Sequence, residues 1–131
     1  MEYYDINFNE IIGKVFKSVE NKDDEEIIFT ATDGTVYKLY HDQDCCESVT
    51  VEDICGDLND IIGEPIIMGE EVVSEHGVNP EGVPLMEYQD SFTWTFYKIG
   101  TIKGVVTIRW YGDSNGYYSE SVEFARVEGT P

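Results

Sequence analysis

Residues 91–127 read SFTWTFYKIGTIKGVVTIRWYGDSNGYYSESVEFARV, a run in which larger and smaller side chains alternate with a period of two. That period suits a half-buried strand and not a helix, whose apolar positions recur every three or four residues. Turn-forming residues interrupt the run near Gly100–Lys103 and at Gly112–Gly116, so it predicts a three-strand antiparallel meander. Phe92, Trp94 and Phe96 share one parity; Val106, Ile108 and Trp110 follow, then Tyr118, Val122 and Phe124, and these are expected to line the core. The opposite parity holds Thr93, Thr95, Tyr97, Thr107, Arg109, Tyr111, Tyr117, Ser119, Ser121 and Glu123. It reads either as a solvated face on which Arg109 pairs with Glu123 across strands, or as a recognition platform.

Upstream, EEIIFTATDGTVYKLYH reads as a hairpin turning at Asp33-Gly34. In TVEDICGDLNDIIG, Thr50 is an N-cap candidate with Asp53 at N3, and Ile54, Leu58, Ile61 and Ile62 follow helical spacing. A short helix is therefore expected, ended by Gly63 and kept from resuming by Pro65. A weak internal repeat links FNEIIGKVFKSVE (8–20) with LNDIIGEPIIMGE (58–70), each read as a last helical turn, a glycine and a strand. Residues 74–90 hold two prolines and two glycines and read as a long, mobile loop. The expected class is α+β: a mainly antiparallel sheet, built of the hairpin plus the C-terminal three-strand meander, with one or two short helices packed on one face. One domain spanning 1–131 is expected, since a chain of this length buries roughly 65–70% of its unfolded surface.

Charge restricts the partners. Asp and Glu number 27 against eight Lys and Arg, and between Leu39 and Tyr97 there are 14 acids and no Lys or Arg. Such a field repels polyanions, so direct nucleic-acid binding is disfavoured and basic protein surfaces or cations are the natural partners. The acids could equally serve solubility alone. On the expected helix and the turn before it, Asp42, Asp44, Glu47, Glu52, Asp53, Asp57 and Asp60 would form an outward acidic patch. No apolar run approaches the roughly 18 residues needed to cross a bilayer. The start MEYYDINFNE lacks a signal peptide's basic and apolar regions, so a soluble intracellular protein is expected.

The segment HDQDCCESV (41–49) tests for chemistry. Adjacent cysteines in extended chain point to opposite faces and rarely share an ion, and the zinc spacings are missing. Three cysteines in a reducing compartment argue against a structural disulfide. Acidic neighbours would raise a thiol pKa and weaken Cys45 or Cys46 as a nucleophile beside His41. No P-loop, G-x-S-x-G or H-E-x-x-H occurs. The expectation is no metal, no cofactor and no catalysis. The segment should turn on Asp42 and Asp44 and tuck at least one cysteine into the core, with Cys55 buried as well.

The stretches HDQDCCESVTVEDICGDLNDIIGEPI and SFTWTFYKIGTIKGVVTIRWYGDSNGYYSESVEF resemble a family of short acidic proteins encoded by bacteriophages and prophages, a domain of unknown function. The likeness spans about residues 11–125 and implies a virus-encoded protein at work in the host bacterial cytoplasm; it brings no catalytic residues. Three functions follow as expectations. The first is a non-enzymatic accessory protein that inhibits or modulates a host protein through its acidic, nucleic-acid-mimicking surface. The second is a nucleotide-sequestering protein whose Tyr97, Arg109, Tyr111 and Tyr117 hold a base and a phosphate. The third is an assembly component, with the oligomeric state open and a homodimer among the options.

Overall fold

The computed structural model describes residues 2–74, 91–114 and 119–128. Among them there is no α-helix, only two 3-10 turns, Phe8–Ile11 and Leu58–Ile61. The nine described strands all pair antiparallel, which overturns the α+β expectation. One sheet has the order β1(Glu2–Asp5)-β9(Glu123–Glu128)-β4(Val36–Tyr40)-β3(Glu26–Ala31)-β2(Phe16–Lys22). The other runs β5(Ser48–Cys55)-β8(Gly104–Ser114)-β7(Ser91–Thr101)-β6(Met68–Val73). One core joins Ile27, Phe29, Leu39 and Phe124 from the first sheet to Val51, Tyr97, Ile99, Ile108 and Trp110 from the second. Phe8 ties the two together, its ring 4.7 Å from Tyr97 and 4.9 Å from Phe124.

Ser48–Cys55 is a strand where a helix was expected. Thr50 lies opposite Tyr111 in the β5–β8 ladder and caps nothing. Val49, Thr50, Val51 and Ile54 are β-branched and pack well on a pleated sheet. The cap belongs to Asp57, whose side chain accepts the Asn59 N–H at 2.9 Å and starts the second 3-10 turn. The C-terminal meander is corrected too. Its first two strands, β7 and β8, pair as expected, but β9 leaves for the other sheet and pairs with β4 and β1. Asp33-Gly34 does turn the β3–β4 hairpin, with Gly34 N–H donating to Ala31.

Register settles the faces. Trp94 lies opposite Tyr111 and Phe96 opposite Arg109, while Thr95 faces Trp110 and Tyr97 faces Ile108. The inner side of β7 is therefore Thr95, Tyr97 and Ile99, all buried, and the expected parity of this strand is reversed. A one-residue slip moves a strand's whole side-chain set to the other face.

The 50-residue echo has a geometric counterpart. Each 3-10 turn ends at a glycine in the left-handed region, Gly13 and Gly63, both at φ +89°, where a side chain would be strained. Gly13 N–H donates to Ile66 at 2.7 Å and Gly63 N–H to Phe16 at 2.9 Å, and Val15 bridges Pro65 antiparallel. Exchanging the two segments maps each bond onto the other and the bridge onto itself. The strands follow the same exchange. After β2-β3-β4 the chain crosses to pair β5 with β8; after β6-β7-β8 it crosses back to pair β9 with β4.

Candidate functional site

The turn before β5 is organised from inside by Glu47. Its side chain is fully buried, and its carboxylate accepts the Cys45 N–H at 2.8 Å, the Asp44 N–H at 2.9 Å and His41 Nε2 at 2.7 Å. His41 Nδ1 meets the Ser121 carbonyl at 2.7 Å. Both ring nitrogens thus face acceptor oxygens, which fixes the imidazole between the turn and the Ser121 backbone. Gln43 closes the loop through the carbonyls of Cys45 and Glu47. Cys45 and Cys46 are bonded to each other, and both are exposed, as is the free Cys55. No cysteine enters the core here, because Glu47 and His41 fill the space beneath the turn. Among the described residues no group of three His, Cys, Asp or Glu is placed to hold a metal.

Glu47 thus belongs to the interior and not to an exposed patch. Burial opposes its ionisation, yet the amides of Cys45 and Asp44 and the His41 ring outweigh it and lower its pKa to about 2. A carboxyl depressed below its unfolded value stabilises the fold above that unfolded value, near 4.5, and the contribution is lost as pH falls toward 2. The Asp44 and Cys45 amide resonances are accordingly expected to titrate with a midpoint near 2, a transition absent from Glu47→Gln. A midpoint at an ordinary glutamate value would contradict the bonding described.

The exposed acids lie on the edge strand β5 and on the turns at its two ends. Asp42 and Asp44 flank the turn, Asp53 follows the β-bulge at Glu52, and Asp57 and the half-buried Asp60 sit at the second 3-10 turn. Glu52 is ion-paired, its carboxylate 2.5 Å from Arg109. Arg109 therefore does not pair with Glu123, which stands in the other sheet opposite Tyr40.

Sequence reasoning missed a second acidic segment. The β2–β3 turn carries Asp23, Asp24 and Glu25, all exposed, with Asp23 and Asp24 at φ +55° and +59°, a region that Asp tolerates better than most residues. Asn21 fastens it, bonding both the amide and the carboxylate of Asp24. Asp24 in turn accepts the Val51 N–H at 2.7 Å, which docks the turn on the edge of β5 beside the Glu52 bulge. The available signal was the run DDEE at 23–26. Between this turn and the His41–Glu47 turn lies a cleft of about 460 Å³ whose lining includes Glu25, Glu26, Lys38, Tyr40 and Thr50. Lys38 is 2.8 Å from Glu26 and offsets that charge.

The proposed ligand face does not assemble as expected. Tyr97 points into the core, its hydroxyl donating to Glu71 at 2.6 Å, while Arg109 and Tyr111 occupy the opposite side of the sheet. There Arg109 lies over Trp94 at 5.1 Å, and Tyr111 packs on the same ring at 4.7 Å. Tyr117, Tyr118, His76 and, apart from Ser74, the whole of the expected loop 74–90 lie outside the described residues.

Residues 9–124 match the family described as a domain of unknown function (DUF7448), and the chain belongs to that family. No curated protein and no solved structure matches it.

Proposed function

We propose that this family member is a non-enzymatic, phage-encoded accessory protein that acts in the bacterial cytoplasm. It binds a basic surface of a host protein and inhibits or modulates it by occupying the place of a nucleic acid. The observation that carries this reading is the docking of the Asp23–Glu25 turn on β5, where the Asp24 carbonyl accepts the Val51 N–H and brings the turn's carboxylates onto the strand that carries Asp53. With Asp42, Asp44 and Asp57 they make one acidic edge. Duplex DNA presents a charge about every 1.7 Å, and a basic groove evolved for that density is attracted by a fixed row of carboxylates. The site differs from the patch first expected: Glu47 is withdrawn, Glu52 is shared with Arg109, and Asp23, Asp24 and Glu25 are added. No helix among the described residues is long and apolar enough to cross a membrane.

Affinity capture from host lysate at low and high salt tests the proposal. A specific partner is expected to be retained at low ionic strength and lost at high, because exposed charges are screened beyond a Debye length of about 8 Å at physiological salt. Changing Glu25→Gln, Asp44→Asn, Asp53→Asn and Asp57→Asn together is expected to slow association about tenfold or more. Salt-indifferent capture, or unchanged association by the fourfold variant, would defeat the reading.

A further inference from the structure

At its β6 edge, the inner face of the second sheet opens into a cleft of about 320 Å³, lined by Glu71, Val73, Thr93, Thr95, Ser119, Glu120, Ser121 and Val122. No Lys or Arg is among these lining residues. Glu120 is 8% exposed and is bonded entirely to hydroxyls: Ser91 at 2.7 Å and Ser114 at 2.5 Å on Oε2, and Thr93 at 2.8 Å on Oε1. Each carboxylate oxygen can accept two donors, so Oε2 is filled and Oε1 keeps one free position. Glu71 accepts the Tyr97 hydroxyl on Oε2, which leaves Oε1 without a donor among the described residues. The decisive group is Thr95. It is 3% exposed, lines the cleft, and its hydroxyl has no hydrogen-bond partner among the described residues. The Thr95 hydroxyl therefore presents an open acceptor position to a negatively charged cleft, which points to a donor supplied from outside the chain.

We infer that this cleft binds a primary alkylammonium group, the chemistry of a lysine side chain or a free aliphatic amine. An ammonium brings three N–H donors and one positive charge. The cleft offers three acceptors, at Glu120 Oε1, Glu71 Oε1 and Thr95 Oγ1, and its two carboxylates have no cation among the lining residues. Val73 and Val122 give the methylene chain an apolar wall. A calcium ion, which takes 6–8 oxygen ligands, is poorly served by two carboxylates of which one is already held by three hydroxyls. The site is separate from the acidic edge of β5 and does not depend on that reading.

The test is a titration of the whole protein with n-butylammonium chloride, followed by amide resonances at constant ionic strength. Saturable shifts are expected at Thr93, Thr95 and Glu120. Nα-acetyl-lysine amide should act on the same resonances, and tetramethylammonium, with equal charge and no N–H donor, should bind at least tenfold more weakly. Glu71→Gln, on the exposed edge strand, and Thr95→Val should each raise the dissociation constant about tenfold. Glu71→Gln carries the argument if Thr95→Val disturbs folding. Equal binding of tetramethylammonium, an undiminished affinity in Glu71→Gln, or shifts produced by calcium chloride and not by the amine would each overturn the inference.

Discussion

Phe16→Ala is expected to remove about 3–5 kcal/mol of folding stability, a large part of what a domain of this size possesses. Phe16 is fully buried where β2 leaves the first 3-10 turn, with Phe29 at 5.4 Å and Tyr37 at 6.0 Å. Its backbone is fixed independently, by the Gly63 N–H on its carbonyl and the parallel bridge to Ile62. Those bonds survive the substitution, so the site cannot collapse around alanine and the cavity remains. The chemical-denaturation midpoint should fall with little change in slope. Ile12→Ala, at 51% exposure on the same segment, should cost under about 0.5 kcal/mol. Comparable losses at the two positions would mean that the junction between the repeated segments is not packed as described.

The same junction shows how much of this fold could be read from sequence. FNEIIG and LNDIIG announced their likeness, and each carries a short turn closed by a glycine in the same conformation. What the letters hid was the length of the turns: four residues of 3-10 geometry leave no room for the helical stripe that Ile54, Leu58, Ile61 and Ile62 suggested. The bulge at Glu52 hid the strand that stands there instead. Val49 and Val51 point inward with a period of two, the extra residue shifts the count, and Ile54 returns to the inner face opposite Ile108. An inserted residue makes a bulged strand look like a helix over one turn.

The β7 reversal has another origin. Phe92, Trp94 and Phe96 are larger than Thr95, Tyr97 and Ile99, but the two sets differ little in their suitability for burial, and Trp94 and Phe92 are themselves nearly buried on the outer side. Only register with β8 decides between them. The exchange of β9 to the first sheet was equally invisible, since neighbouring strands usually pair with one another. The acidic edge was half legible. Residues 42–60 were visible as a charged run, whereas the turn at 23–25 joins them through a tertiary hydrogen bond to Val51.

Gly112→Ala offers a test whose sign is diagnostic. In open space a glycine-to-alanine change within a strand gains about 0.4–1 kcal/mol, because the unfolded chain loses freedom. At Gly112 a Cβ would stand 2.9 Å from the Glu120 carbonyl oxygen, 3.0 Å from Glu120 Cβ and 3.1 Å from Val49 Cγ2. The nearest of these is backbone, and three hydroxyls hold the Glu120 side chain in place, so the segment cannot retreat cheaply. A net loss of about 1–3 kcal/mol is expected, the usual cost of overpacking. Gly69→Ala is the comparison: its Cβ would meet Ile11 Cγ1 and Cδ1 at 3.0 and 3.2 Å, and its nearest backbone atom, the Phe8 carbonyl oxygen, only at 3.4 Å. It should cost clearly less than Gly112→Ala in the same denaturation assay. If residues 119–122 do cross over β8 at Gly112, the alanine must also displace Glu120 and weaken the Ser91 and Ser114 contacts. Stabilisation by Gly112→Ala would show that the crossing does not exist, and with it would go the wall of the amine cleft.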